Sequence, residues 1–412
     1  MTDLDMPVRW DPTDPAFRAD PYPFYDRLRE EEPVHHPARR GDEIVLTRYD
    51  DVTRVLRDAT VSRDIEANGR FDPADPLQAA RRKRRDDGAK TILNLDPPDH
   101  TRLRRLVSKA FTPTAIERLR SWMTDRVDAA LDRAAAAGSI ELIEDLAFPF
   151  PFDVISELLA MPTDRAADVR DWSMALTQSL EPHCTLDEFA AADTALGNMI
   201  GYMFELVEAR RGDLGDDVLS ALIAAEDGGD TMNAAELLSF VILLYVAGHE
   251  TTVNLIGNGT LALLRNPGQL AAWRADPGLD AVAVDELMRY DGPVQHTVRV
   301  AMQPMEFDAG GGRTVVAEPG QPLLTVLGAA NHDPAMFPDP HALLLGRDNA
   351  ARHVGFSAGI HYCLGASLAK MEATIAISRL IRRFDRIEMV GAPHWRDRIT
   401  IRGVDRLELR LA

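Results

Sequence analysis

The sequence predicts a mostly α-helical chain with a smaller β-rich part, on three observations. Residues 114–219 read as successive helical segments, broken at Gly138, at Phe148-Pro149-Phe150-Pro151-Phe152, at Met161-Pro162 and at Arg211-Gly212. An apolar stretch from Asn233 to about Arg265 opens on the capping-box pair Asn233 and Glu236 and stops at Asn266-Pro267-Gly268, the marks of one long helix. Strand-like runs occur at 43–47, on both sides of Gly310-Gly311-Gly312, at 399–402 and at 407–411, with glycine turns suited to hairpins. The β-rich parts therefore fall at roughly 33–60, 294–330 and 386–412.

The chain has 412 residues, enough for two ordinary domains or one large one. Hydrophobic residues make up 45% and charged residues 27%, the balance of a soluble globular protein. With two cysteines, Cys184 and Cys363, there is no disulfide framework, which suits a reducing cytoplasm. The polar, acidic N-terminus lacks the form of a signal peptide. The longest apolar run, 237–248, is interrupted by Ser239 and is too short to span a bilayer. A soluble, cytoplasmic protein without a membrane anchor is expected. A net charge of −19 argues against nucleic acid as a partner. The basic run 81–85 contains no aromatic residue and is followed by Asp86-Asp87, so it reads as a solvated, mobile segment.

In chain order, a short helix is expected over Tyr22–Glu31, a strand at 43–47 and a helix over Tyr49–Arg57. The span 67–93 mixes glycine, proline and charge without apolar period and reads as a long loop of the length used for functional lids. Pro97-Pro98 then starts a helix from Asp99, on which His100 and Arg104 share a face. Taken alone this is a basic surface helix. In the long helix, Gly248-His249-Glu250-Thr251-Thr252 interrupts the apolar run, and such a cluster marks a kink. A zinc-protease reading of His249-Glu250 fails because Val253 stands where the second histidine is needed. Phe240, Leu243, Leu244 and Ala247 share the face of Thr251. Further on, Glu286 and Arg289 are three apart, by themselves an ordinary surface pair. Residues 291–301 read as a turn and strand.

Cys363 lies in the run Phe356-Ser357-Ala358-Gly359-Ile360-His361-Tyr362-Cys363-Leu364-Gly365, ahead of a helix-period stretch reaching about Phe384. A helix N-terminus stabilises a thiolate, and the two glycines leave room for a flat ligand or another backbone. The sulfur could be an inert core group, a nucleophile or a metal ligand. A nucleophile wants a histidine base, and a many-ligand metal wants more Cys or His, yet no CxxC occurs. What fits is a metal with its own equatorial ligands and one axial sulfur, haem iron.

This run resembles the haem-binding loop of the cytochrome P-450 family, Phe-x-x-Gly-x-His/Arg-x-Cys-x-Gly, at every fixed position. Ala247-Gly248-His249-Glu250-Thr251 likewise matches the family's Ala/Gly-Gly-x-Asp/Glu-Thr. The resemblance covers nearly the whole chain and implies one domain over 1–412, with haem b between the long central helix and the helix after the cysteine. It implies Cys363 as axial iron ligand and Thr251 with Glu250 as the pair delivering protons. His100, Arg104, Arg299 and His361 would hold the propionates, and Phe356, Gly365 and Ala247 would lie against the macrocycle. Glu286, Arg289 and His353 would form a buried structural lock. Pocket walls would include Leu93, Phe240, Leu243, Leu244, Val294 and Gln295.

The implied activity is that of a monomeric haem-thiolate monooxygenase, using dioxygen to oxidise an apolar small molecule such as a steroid, fatty acid, terpene or polyketide. Electrons would come from a ferredoxin or flavodoxin served by an NAD(P)H-dependent reductase, with Arg102, Arg105 and Lys109 facing that partner. A departure from the family follows Pro338-Asp339-Pro340, where His341-Ala342-Leu343-Leu344 replaces the usual Asp-Arg-Phe-Asp. Two other functions are open: a peroxide-driven peroxygenase, against which the intact Glu250-Thr251 pair argues, and a non-catalytic haem sensor or carrier.

Overall fold

The structure is a computed structural model and describes residues 9–36, 43–64, 74–88, 90–108, 111–225 and 232–412. The expectations for the N-terminal seven residues, for 67–73 and for Lys109 lie outside the described residues. The chain opens with α1 (Pro15–Ala19), α2 (Tyr22–Glu31), β1 (Val34–His35), β2 (Ile44–Leu46), α3 (Tyr49–Arg57) and β3 (Val61–Ser62). A helical stretch follows: α4 (Pro76–Asp87), α5 (Asp99–Ser108), α6 (Pro113–Arg118) and α7 (Arg120–Ala137), then β4 (Ser139–Glu141), α8 (Pro149–Leu158), α9 (Ala166–Gln178), α10 (Leu186–Arg211) and α11 (Val218–Ala225). The long α12 (Ala234–Arg265) leads to α13 (Pro267–Ala275), α14 (Ala283–Asp291), β5 (His296–Ala301), β6 (Met305–Asp308), β7 (Thr314–Ala317), β8 (Pro322–Val326) and α15 (Leu327–Ala330). The chain closes with α16 (Ala366–Arg383), β9 (Ile387–Met389), β10 (His394–Trp395), β11 (Val404–Arg406) and β12 (Glu408–Leu411).

The main sheet has the order β1-β2-β8-β5-β3, in which β2 and β8 are parallel and the other pairs antiparallel. A second sheet is β4-β12-β9, and β6 and β7 pair as the hairpin foreseen at Gly310-Gly311-Gly312, all three of which have positive φ. The largest core cluster gathers around α12, which packs against α8, α14 and α16. By length and composition α12 could cross a membrane, but it is the core helix of this fold, with 72% of its most apolar window buried in protein. Its ends are as the sequence predicts: the Asn233 side chain accepts from Glu236 N, and the Glu236 side chain accepts from Asn233 N.

Four local expectations change. The basic run 81–85 lies in a helix, α4, because tertiary contacts replace the missing apolar period. Arg84 stacks over Phe189 at 3.7 Å and bonds Asp193 and Ser179, which docks α4 on the α9–α10 pair. Phe148-Pro149 is a helix start, since proline is tolerated in the first turn of α8. Residues 399–402 form no strand apart from one bridge between Val294 and Ile401. The buried carboxylate of Glu181 takes their backbone donors instead, accepting from Ile399 and Thr400 at 3.0 and 3.1 Å and from Ile401 at 3.4 Å. Finally, α12 runs unbroken through Gly248. That glycine admits α8, because an added Cβ would come within 2.9 Å of Ile155 Cδ1.

Candidate functional site

The cysteine loop is closed by its own backbone: Cys363 N donates to Phe356 O at 3.0 Å and Tyr362 N to Gly359 O at 3.1 Å. Gly359 sits at φ +70° directly against the Leu56 carbonyl of α3, so only glycine lets the loop dock there. Phe356 is buried beneath the loop, with Lys370 Nζ 5.8 Å from its ring centre. Cys363 has solvent-accessible area, yet protein crowds it closely enough that burial is the largest influence on its thiol and pushes it up. Both describe a group on the floor of a recess. The Gly365 amide and Arg104 act the other way without prevailing. A metal cation bound at the sulfur would favour the thiolate.

The four residues expected to hold carboxylates do come together. The rings of His100 and His361 lie 4.2 Å apart, and both ring nitrogens of buried His100 lack a partner within the protein. Arg104 donates to Tyr362 O at 2.6 Å, tying α5 to the cysteine loop. Arg299, buried on β5, donates to Val298 O at 2.9 Å and to Thr297 Oγ1 at 3.2 Å. Burial, then the neighbouring Arg63, brings its pKa down to about 9. Burial and the surrounding cations likewise push His361 down to about 3. Among the described residues neither Arg104 nor Arg299 forms an ion pair. Clustered cations with no ion-pair partner among the described residues, and an unpartnered imidazole beside a cysteine loop, fit the two carboxylates of a haem. Gly365 fits too: it has ordinary backbone angles, and no protein atom lies within 4 Å of an added Cβ, so neither its conformation nor packing demands glycine.

On α12, Ala247 is exposed and Leu243, Leu244 and Thr251 are half-buried, although their neighbours Ile242, Tyr245, His249, Glu250 and Thr252 are buried. This is the face the sequence predicts to line a space. Thr251 donates its hydroxyl proton to Ala247 O at 2.7 Å, so its lone pairs are what it offers outward. Glu250 points elsewhere. It is fully buried, and its Oε1 accepts from Arg396 and, at 3.2 Å, from Arg398, while Oε2 has no partner in the protein. Arg398 also bonds Gln178 Oε1, Thr177 Oγ1 and Met174 O, joining Glu250 to the end of α9. The sequence reading missed both arginines, because the segment that carries them has no periodic signal. His249 is buried between Phe148 and Phe152, and burial brings it down to about 4.

The structural lock needs one correction. Glu286 and Arg289 pair in full burial, Nε to Oε2 at 2.7 Å and Nη2 to Oε1 at 2.9 Å. The third basic member is Arg347, whose Nε reaches both Glu286 oxygens at 3.1 and 3.2 Å. His353 instead bonds Asp285 Oδ1 at 3.2 Å, which Lys370 also pairs. A planar guanidinium serves a carboxylate and several carbonyls at once, which an imidazole does not. The atypical segment 341–344 is absorbed by backbone: Leu344 N donates to Glu286 at 2.9 Å, and Ala342 O accepts from both arginines.

Two pocket residues are also corrected. Gln295 is fully buried, its Oε1 accepting from Tyr25 and its amide donating to Gly292 O at 2.7 Å, so it is a structural crosslink. Phe240 belongs to the core, edge-on to Phe111. Leu93, exposed on a short 3-10 turn, and half-buried Val294 are accessible. On the face expected to meet a partner, Arg102 is paired with Glu236, while Arg105 is exposed.

A fold of this kind around a recessed cysteine and an unpaired cationic cluster defines a haem-thiolate protein, and comparison with known proteins agrees. The family model for Cytochrome P450 matches residues 277–394. The chain is 41% identical over 406 residues to cytochrome P450 107B1 of Saccharopolyspora erythraea, covering 96% of each. It is 40% identical to the cytochrome P450 monooxygenase PikC of Streptomyces venezuelae, over 96% of this chain and 92% of that one. The solved structure of the Bacillus subtilis bacillaene polyketide synthase cytochrome P450 PksS superposes with a TM-score of 0.86 at 33% identity, covering 98% of this chain and 100% of that one. The chain belongs to the cytochrome P450 family and is an oxygen-incorporating oxidoreductase of the bacterial type.

Proposed function

We propose that this protein is a monomeric, single-domain, cytoplasmic monooxygenase that inserts one oxygen atom into an apolar small molecule at haem b. Electrons would come from a ferredoxin or flavodoxin with its NAD(P)H-dependent reductase. Steroids, fatty acids, terpenes and polyketides all suit an apolar recess, and the name of the PksS relative makes polyketides the first class to test. Cys363 would hold the iron, and His100, Arg104, Arg299 and His361 the propionates. When bound, the haem supplies the metal centre at which dioxygen is reduced and split.

The protein's own residues do the rest. Ala247 keeps the helix face low, Leu243 and Leu244 make it apolar, and Thr251 can accept a hydrogen bond from water on that face. Glu250, whose Oε2 is unpartnered, is the nearest acid in sequence and would move protons once it turns from its arginines. The observation that carries this reading is the accessible Ala247–Thr251 face in the middle of the helix around which the core is built.

The test is spectroscopic. The reduced carbonyl adduct should show the thiolate-type Soret band and Cys363→His the imidazole type; an imidazole-type band in the unmodified protein would overturn the reading. Titration with macrolide aglycones and long-chain acids should then shift the ferric spin state for the true class. Thr251→Ala should raise reductant consumption per product several-fold, and unchanged coupling would exclude its part in proton delivery.

A further inference from the structure

Arg63 follows β3 directly and belongs to none of the motifs described above. Its backbone is fixed by Asp96, whose Oδ1 accepts from Arg63 N at 2.8 Å and whose Oδ2 accepts from the Ser62 hydroxyl. Its Nη1 donates to Val298 O at 3.2 Å, and Arg299 Nη1 donates to that same oxygen at 2.9 Å. Two guanidinium nitrogens on one carbonyl oxygen lie no more than about 6 Å apart. Like charges so close inside a protein repel unless an anion joins them. Among the described residues neither forms an ion pair.

The charges facing this point can be counted. Arg63, Arg104 and Arg299 are cations, and all three act on His361. Asp96 is the carboxylate acting on Arg63 and Arg299, and both of its oxygens are engaged by the Ser62 hydroxyl and the Arg63 amide. The rings of His100 and His361 lie beside these cations, 4.2 Å from each other. Three guanidinium groups against one carboxylate leave a surplus of two positive charges, and a haem carries two propionates. We propose that Arg63 is a third guanidinium of the propionate cradle, aimed by the shared Val298 carbonyl, and that its charge balances the second propionate. This rests on the haem reading of the site. The alternatives are that Arg63 only ties β3 to β5, whose register pairs Ser62 with Val300, or that it awaits a substrate carboxylate.

Haem release to excess apomyoglobin tests this on the full chain. Arg63→Met should release haem roughly 10- to 100-fold faster than the parent, the span of one charge-assisted hydrogen bond, with Arg63→Lys in between. Both proteins are then reconstituted with haem dimethyl ester, whose propionates carry no charge. The parent should now release faster, and the difference between parent and variant should vanish. The haem-free variant should melt no lower than the haem-free parent, because a repulsion has been removed. Equal release by parent and Arg63→Met, a difference that persists with the ester, or an equal loss of melting temperature without haem would overturn the proposal. If Arg63→Met does not fold, Arg63→Lys is carried through the same comparison. A parent that takes up no haem, or gives an imidazole-type carbonyl spectrum, would instead overturn the reading of the site itself.

Discussion

At Gly359 the chain has no latitude: φ is +70° and an added Cβ would run into the Leu56 carbonyl. The left-handed conformation alone costs a non-glycine residue about 1–2 kcal/mol, and displacing α3 adds to it. Gly359→Ala should therefore lower stability by at least about 2 kcal/mol in thermal unfolding and loosen the cysteine loop. Ser357, two positions earlier, shows the opposite case. It also has positive φ, at 63°, and its hydroxyl is buried without a partner. Ser357→Gly should raise stability by up to about 1 kcal/mol, and a lower melting temperature would show that the hydroxyl has an unseen role. The requirement at Gly359 is legible from the loop pattern. The strain at Ser357 is not, because it follows from closure of the loop between Cys363 N and Phe356 O, a contact no local pattern encodes.

Between elements, legibility depends on whether both partners lie on one helix. Glu286 and Arg289 share α14 and the family resemblance pairs them, although their spacing alone reads as a surface pair, whereas Arg347 arrives from a loop and the resemblance puts His353 in its place. The two roles separate by mutation. Arg347→Ala removes a buried partner of Glu286 and the guanidinium donors to the carbonyls of Pro338, Asp339 and Ala342, of which Asp339 keeps the Ala342 amide and Ala342 keeps Arg289, at a cost of about 3–5 kcal/mol. His353→Asn loses one bond to Asp285, which keeps Lys370, and should cost only about 1 kcal/mol. Thermal melts in the reverse order would restore His353 to the lock. The same logic applies where α9 meets α12. Arg398→Met releases one of the two donors on Glu250 Oε1 and the grip on Thr177 and Gln178, so it should change coupling of reductant to product more than substrate affinity. An effect confined to affinity would show that Arg398 serves the pocket and not the acid.

For the molecule as a whole, the periodic helices and the paired caps of α12 were readable, because burial of one face and local capping are sequence-local. The docking of α4 and the clamp on Glu250 were not, because each joins residues more than a hundred positions apart. The buried histidines are a further property set only by the assembled fold. Burial holds His249 down at about 4 and His332 well below its ordinary value, and His353 is lowered as well. Each holds its proton less readily in the folded protein than in the unfolded chain, and for His249 the unfolded chain binds more protons between about pH 4 and about pH 6.5. Stability is thus fully present above about pH 6.5 and falls as the pH drops, His249 alone contributing a loss of about 3 kcal/mol by about pH 4. His249→Phe should pack with Phe148 and Phe152, remove the unpartnered Nε2 and flatten part of that dependence. Melting temperatures of both proteins, measured from about pH 7.5 to about pH 5, decide it. The variant should lose less than the parent, and parallel curves would mean that His249 does not carry the acid sensitivity.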